Sequence, residues 1–170
     1  MEKVRTAFER SVRVLTLRPE RGRSTGVSRT RIRQGLTCDI EEGPWKLVAD
    51  MPVPAGGDAA GPTPGVLGRA ALGSCLAIGY MMYAAKLGIP IAALEVEVQA
   101  DYDDGALFGV SQSPPGYLEV RYAVTVESDA PDEDVLRVLD EGDAHSPYLD
   151  VFSRAQACRR SVRILPVREG

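Results

Sequence analysis

The chain has 170 residues, 44% hydrophobic and 26% charged, which suits one domain with its own core and an ordinary globular composition. A formal net charge of −4 gives no general reason to expect nucleic acid or an anionic membrane as partner. Three cysteines, without a CxxC pair or zinc-type spacing, argue against a disulfide framework and for reduced thiols in a cytoplasmic setting.

The first ten residues are charged and lack an apolar signal-peptide core, so no export is expected. Residues 11–18, SVRVLTLR, alternate apolar and polar positions and predict a strand. After a turn-rich stretch from Pro19 to Gly26, SRTRIRQGLTCDI predicts a second strand. The Gly43-Pro44 break then leads to a third, WKLVADM. The fourteen residues PVPAGGDAAGPTPG are rich in Pro, Gly, Ala and Asp and predict a loop.

The next segment predicts a long helix. Thr63 is a natural N-cap and Pro64 fits the first helical position. Lys86 falls in the last turn, Gly88 just past the end and Pro90 beyond it. A helix from 64 to 87 would run about 36 Å. From Val66 to Ala85 its only charge is Arg69, and a helix without a polar face lies in a core or in a membrane. The strand and turn signals on either side favour a core, and a second copy of the chain would help to surround so long an apolar helix.

Leu94–Tyr102 alternates cleanly as a strand and ends in the turn DYDDG. LFGV predicts a short extended piece, SQSPPG a turn and YLEVRYAVTVES a long strand. Residues 131–141 predict a helix with Val135, Leu136 and Leu139 as its apolar stripe, and a short second helix is expected after Ser146-Pro147. RRSVRILPV predicts a closing strand. The order β-β-β, long α, β-β, α-α, β specifies an α+β domain rather than a parallel βαβ array.

Cys75 lies near the middle of the long helix, in ALGSCLAIGY. On composition alone a free cysteine there reads first as packing, because cysteine is among the most buried residue types. Reactivity would need a stabilised thiolate. The helix dipole fades within the first turn, and Arg69, about 120° around the helix and ~9 Å along it, points away. Arg29, Arg31 and Arg33 share one strand face by their period of two. They could line a cleft over the helix, or simply face solvent.

The run GGDAAGPTPGVLGRAALGSCLAIGY resembles the hallmark of OsmC/Ohr-like proteins, in which a Gly/Pro loop enters a long central helix bearing a cysteine after an ALxxC-type sequence. The similarity extends through AAKLGIPIAALEVEVQADYDD and an acidic helix ending near HSP, covering about residues 25–165 of a single domain. The resemblance implies antiparallel sheets wrapped around long central helices in an intertwined homodimer, with thiol sites at the subunit interface. It implies reduction of organic hydroperoxides by Cys75, with an external thiol as reductant, an apolar peroxide as substrate and no cofactor. Its alternative is a non-enzymatic dimer that binds a small apolar ligand in the same pocket.

Two features depart from that pattern. Active relatives carry a second cysteine in a Cys-Pro pair, where this chain has Ser146-Pro147. Relatives of the Ohr type have Pro-Glu at the helix start, where this chain has Pro64-Gly65. Cys158, twelve residues after Ser146, is a candidate displaced resolving thiol, and Cys38 a weaker one. Arg29, Arg31, Arg69, His145 and Ser146 are the candidate pocket or thiolate-stabilising residues. His145 has no ligand-spaced companions for a metal site.

Overall fold

The computed structural model describes residues 1–166. Helix α1 (Glu2–Leu17) leads through a short 3-10 turn into strands β1 (Arg29–Ile32), β2 (Cys38–Glu42) and β3 (Trp45–Ala49). Helix α2 (Pro64–Leu87) follows, then β4 (Ala93–Asp101), the single turn of α3 (Asp104–Leu107) and β5 (Glu119–Glu127). Helices α4 (Asp132–Ala144) and α5 (Pro147–Ser153) come last. Strands β1, β2 and β3 pair antiparallel in sequence order, and β4 and β5 form a separate antiparallel pair. The class is α+β, as the element pattern predicts.

Helix α2 takes the bounds its sequence signals dictate. The Thr63 side chain accepts the Val66 N–H at 3.4 Å, Pro64 opens the helix, and Gly88 closes it in the left-handed conformation at φ 71°. Its buried face is the i, i+4 stripe Leu72, Leu76, Tyr80 and Ala84. Against that stripe lie Leu94, Val96 and Val98 of β4 and Val120, Tyr122, Val124 and Val126 of β5. The register pairs Val96 with Val124 and Val98 with Tyr122, so these side chains share one face of the ribbon. Val138 of α4 completes the core. Each fully buried aliphatic side chain here, Leu72, Leu76 and Val138, contributes about 1.5–3 kcal/mol by leaving water.

The other side of α2 is open. Val66, Ala70, Ser74, Ile78 and Met82, one residue per turn, are exposed, Ile78 at 61%. By length and composition α2 could cross a membrane, yet here β4, α1, α4 and α5 all pack against it. A chain of this size supplies elements for only part of its circumference.

Four local expectations are overturned. The strand predicted at 11–18 is the second half of α1. The wider window holds Val4, Phe8 and Leu15 at helical spacing, and Phe8 packs edge-on against Tyr83 of α2 at 5.5 Å between ring centres. The single strand predicted at 28–40 is the β1–β2 hairpin, turned at Gly35 with φ 62°, a backbone conformation costly to other residues. LFGV is not extended: Leu107 ends α3, whose N-cap Asp103 accepts the Gly105 N–H at 2.8 Å. The closing strand predicted at 159–167 is absent from 159–166, which are exposed and without regular structure, and Val167 lies outside the described residues.

Candidate functional site

Cys75 is half-buried on α2, between the buried Leu72–Leu76 stripe and the exposed Ser74–Ile78 stripe. Its sulfur lies 3.6 Å from Ser146 Oγ, across 71 positions of sequence. Ser146 is 6% exposed and caps α5, where its hydroxyl oxygen accepts the Leu149 N–H at 3.3 Å. Either group can donate in the Cys75–Ser146 contact. Once the sulfur is deprotonated, only the hydroxyl can.

The elbow between α4 and α5, which carries Ser146, is anchored on two sides. Asp143 Oδ1 accepts the Tyr80 hydroxyl at 2.6 Å and Oδ2 accepts the Tyr122 hydroxyl at 2.8 Å. Burial first, and then the adjoining Asp143 carboxylate, push the Tyr80 phenol far above its ordinary value and the Tyr122 phenol up to about 12. Gly142 lies against the Tyr80 ring so closely that a Cβ there would overlap it. On the outer side, His145 stacks on Tyr83 at 5.2 Å, and its Nδ1 lies 2.8 Å from the Glu141 carbonyl oxygen. Lys86 pairs with Glu141 at 3.5 Å and sits 4.7 Å over the Tyr83 ring.

The remaining sequence candidates lie elsewhere. Arg69 folds back toward the start of α2, beside Gly65, whose carbonyl accepts the Tyr117 hydroxyl at 3.0 Å. Arg29, Arg31 and Arg33 line a cavity of about 390 Å³ with Asp39, Glu41 and Lys46 on the β1–β3 sheet. Among the described residues none of these arginines forms an ion pair, whereas Lys46 pairs with Glu41 at 3.7 Å. No arginine hydrogen-bonds the Cys75 sulfur among the described residues; its partner is Ser146. Cys38 is half-buried, with its sulfur 3.7 Å from the Leu36 carbonyl. Cys158 is exposed. Neither approaches Cys75 as a hydrogen-bonding partner, and all three cysteines are free thiols.

A second cleft, of about 380 Å³, lies between α2, β5 and α5 and is lined by Leu72, Tyr117, Val120, Tyr122, Leu149 and Phe152. It adjoins the site through Leu149, whose N–H caps onto Ser146. The residue that sequence reasoning passed over is Asp143. A carboxylate in the last turn of a helix opposes the dipole there, and that local misfit was the available signal of a tertiary partner.

Comparison with known proteins agrees with this architecture. The family description "OsmC-like protein" matches residues 56–158. No curated protein matches the chain. Among solved structures, an OsmC-like protein from Mycoplasma pneumoniae superposes with a TM-score of 0.64 at 14% identity, over 76% of this chain and 88% of that one. The organic hydroperoxide resistance protein OhrB of Bacillus subtilis gives 0.50 at 18% identity, over 75% and 90%. An OsmC-like hydroperoxide resistance protein from Jannaschia sp. gives 0.52 at 16%, over 82% and 91%. The fold is OsmC-like.

Proposed function

Since the chain belongs to the OsmC-like family, we propose that it reduces organic hydroperoxides through Cys75 in a one-cysteine cycle, as a homodimer in a reducing cytoplasmic setting. The observation that carries this reading is the 3.6 Å contact between Cys75 Sγ and Ser146 Oγ. It couples the helix thiol to the position where the resemblance expects a second cysteine, and that position holds a hydroxyl. Two of the solved relatives are named for hydroperoxide resistance, which supports the choice of substrate class.

The chemistry balances without a cofactor. The Cys75 thiolate attacks the distal oxygen of ROOH, the O–O bond breaks, and the alkoxide takes a proton to leave as ROH, with Cys75 oxidised to the sulfenic acid. Serine cannot condense with a sulfenic acid to a disulfide. An external thiol therefore attacks Cys75 sulfur and expels water, and a second external thiol releases reduced Cys75 and a small-molecule disulfide. The Ser146 hydroxyl, held by the Leu149 N–H, is placed to donate to the sulfur while it is charged.

Among the described residues no arginine hydrogen-bonds the Cys75 sulfur to stabilise this thiolate. In the proposed homodimer the open α2 face of Val66, Ile78 and Met82 packs against a second copy, and an arginine from that copy takes the role. The cleft of about 380 Å³ offers apolar walls for an alkyl group.

The test is cumene hydroperoxide consumption with monothiol and dithiol reductants. Wild type turns over, Cys75→Ser loses turnover by at least a hundredfold, and Cys38→Ser/Cys158→Ser keeps it. Ser146→Cys is expected to form an intrachain disulfide with Cys75 on peroxide addition and to shift the preference toward dithiols. Equal consumption by wild type and Cys75→Ser would reject catalysis and leave the second reading, an apolar-ligand dimer, for which the same cleft is available.

A further inference from the structure

We infer that Asp143 is a positioning residue for the thiol site, clamped by two tyrosine hydroxyls so that the α4–α5 elbow holds Ser146 against Cys75. The inference rests on the reading of Cys75 as the reacting group, and it identifies what fixes the geometry of that group.

Cys75 and Tyr80 belong to the same helix, five residues apart, so they move as one rigid unit. Ser146 belongs to a different unit, the junction of α4 and α5. The junction residues do not share the helix's hydrogen-bond ladder, and His145 closes α4 with a non-helical ψ of 15°. Something must therefore fix the junction relative to α2 if a 3.6 Å contact is to persist. The Asp143 carboxylate does so with both oxygens. One reaches Tyr80 on α2 itself and the other Tyr122 on β5, so the elbow is held to the thiol's own helix and to the sheet behind it.

The link from Asp143 to the sulfur is short and continuous. The Asp143 carbonyl accepts the Ser146 N–H at 3.2 Å, and the Ser146 hydroxyl meets Cys75. Tyr80 is fully buried, so its hydroxyl has no solvent to turn to if the carboxylate is removed, and the unmet donor would push the elbow to rearrange. Charged hydrogen bonds of this kind are directional and short. Gly142, flush with the Tyr80 ring, allows the close approach that they require.

A carboxylate that only added stability would act on the whole fold. One that positions Ser146 acts on Cys75 through Ser146 and has no route to it once that hydroxyl is gone. The experiment uses the full chain in a Cys38→Ser/Cys158→Ser background, so that iodoacetamide reports Cys75 alone, with melting curves to confirm folding. Ser146→Ala is expected to slow alkylation at fixed pH by about threefold, since a lost donor to the thiolate lowers its population. Asp143→Ala is expected to slow it to a similar degree, and Asp143→Asn to restore most of the rate, because an amide still satisfies both tyrosine oxygens, accepting from one and donating to the other.

In the Ser146→Ala background, Asp143→Ala is expected to change the rate no further, although it lowers the melting temperature in both backgrounds. Tyr122→Phe removes one donor and leaves the Tyr80 bond, so it is expected to give a smaller fall and keeps the question answerable if Asp143→Ala does not fold. An unchanged rate in the foldable Asp143 and Tyr122 variants, or an equal loss with and without Ser146, would overturn the proposal. Alkylation needs no peroxide turnover, so a failure of the hydroperoxide assay is a separate result.

Discussion

The two sheets of this chain are treated differently by its core. The β4–β5 ribbon lays Val96, Val98, Val120, Tyr122 and Val124 onto α2, against which α4 and α5 also pack. The β1–β3 sheet also alternates but, among the described residues, has no comparable cover. Its register aligns Ile32 with Cys38 and Ala49, and Ile40 with Leu47, which makes an apolar face. Of that face only Ala49 is buried, while Trp45 is 72% exposed. This exposed apolar face is one that the proposed homodimer would cover. The exposed side of α2 is another.

The largest test of that contrast lies in the core. Leu76→Ala is expected to destabilise the chain by about 2–5 kcal/mol, the usual range for emptying a buried leucine site. Trp45→Ala should cost less than about 1 kcal/mol in dilute solution, where one chain stands alone. Denaturant midpoints for the two variants decide the matter, and similar losses would erase the distinction between the sheets. The next test bears on the partner. Ile78→Glu places a charge in the exposed α2 stripe, so the proposed dimer should weaken by at least tenfold in sedimentation equilibrium, about 1.4 kcal/mol. The melting of the separated chain should barely move. A dimer of unchanged strength would show that this face is not the interface.

How much of this the sequence disclosed depends on how local the signal was. Helix α2 was legible to the residue because Thr63, Pro64, Gly88 and an uninterrupted apolar run act within the segment itself. The β4 and β5 strands were legible for the same reason, each burying alternate residues over nine positions. Helix α1 was misread because eight residues of SVRVLTLR fit a period of two, and the helical spacing appears only when Val4 and Phe8 are included. The hairpin at Gly35 was visible as a glycine inside a strand pattern, which should have broken the run. Ser146 beside Cys75 was readable only through the family resemblance, since 71 residues separate them. Of the Tyr80–Asp143–Tyr122 clamp the sequence offers only the misplaced carboxylate at the end of α4; its two tyrosine partners leave no periodicity to read.

The smallest expected effect concerns the joint between the two regions. Asp50, 2% exposed, follows β3 and receives the Thr37 hydroxyl at 3.0 Å and the backbone N–H groups of Met51, Asp58 and Ala60 at 2.7, 3.1 and 3.1 Å. It thereby ties the β1–β2 hairpin to the loop that enters α2. Burial acts to raise its carboxyl, but the donors from Ala60, Met51, Thr37 and Asp58 together outweigh it and leave the group below the usual carboxylate range. A carboxyl lower in the folded than in the unfolded chain stabilises fully above the unfolded value, about 3.9. That contribution is lost as pH falls through the lower folded value, because the unfolded chain then takes up the proton first. The stability gap between wild type and Asp50→Asn should therefore be greatest near neutrality and narrow as pH is lowered below about 4. Urea midpoints from pH 7 to pH 3 measure it, and a gap that stayed constant over that range would mean that Asp50 holds the joint by shape rather than by charge.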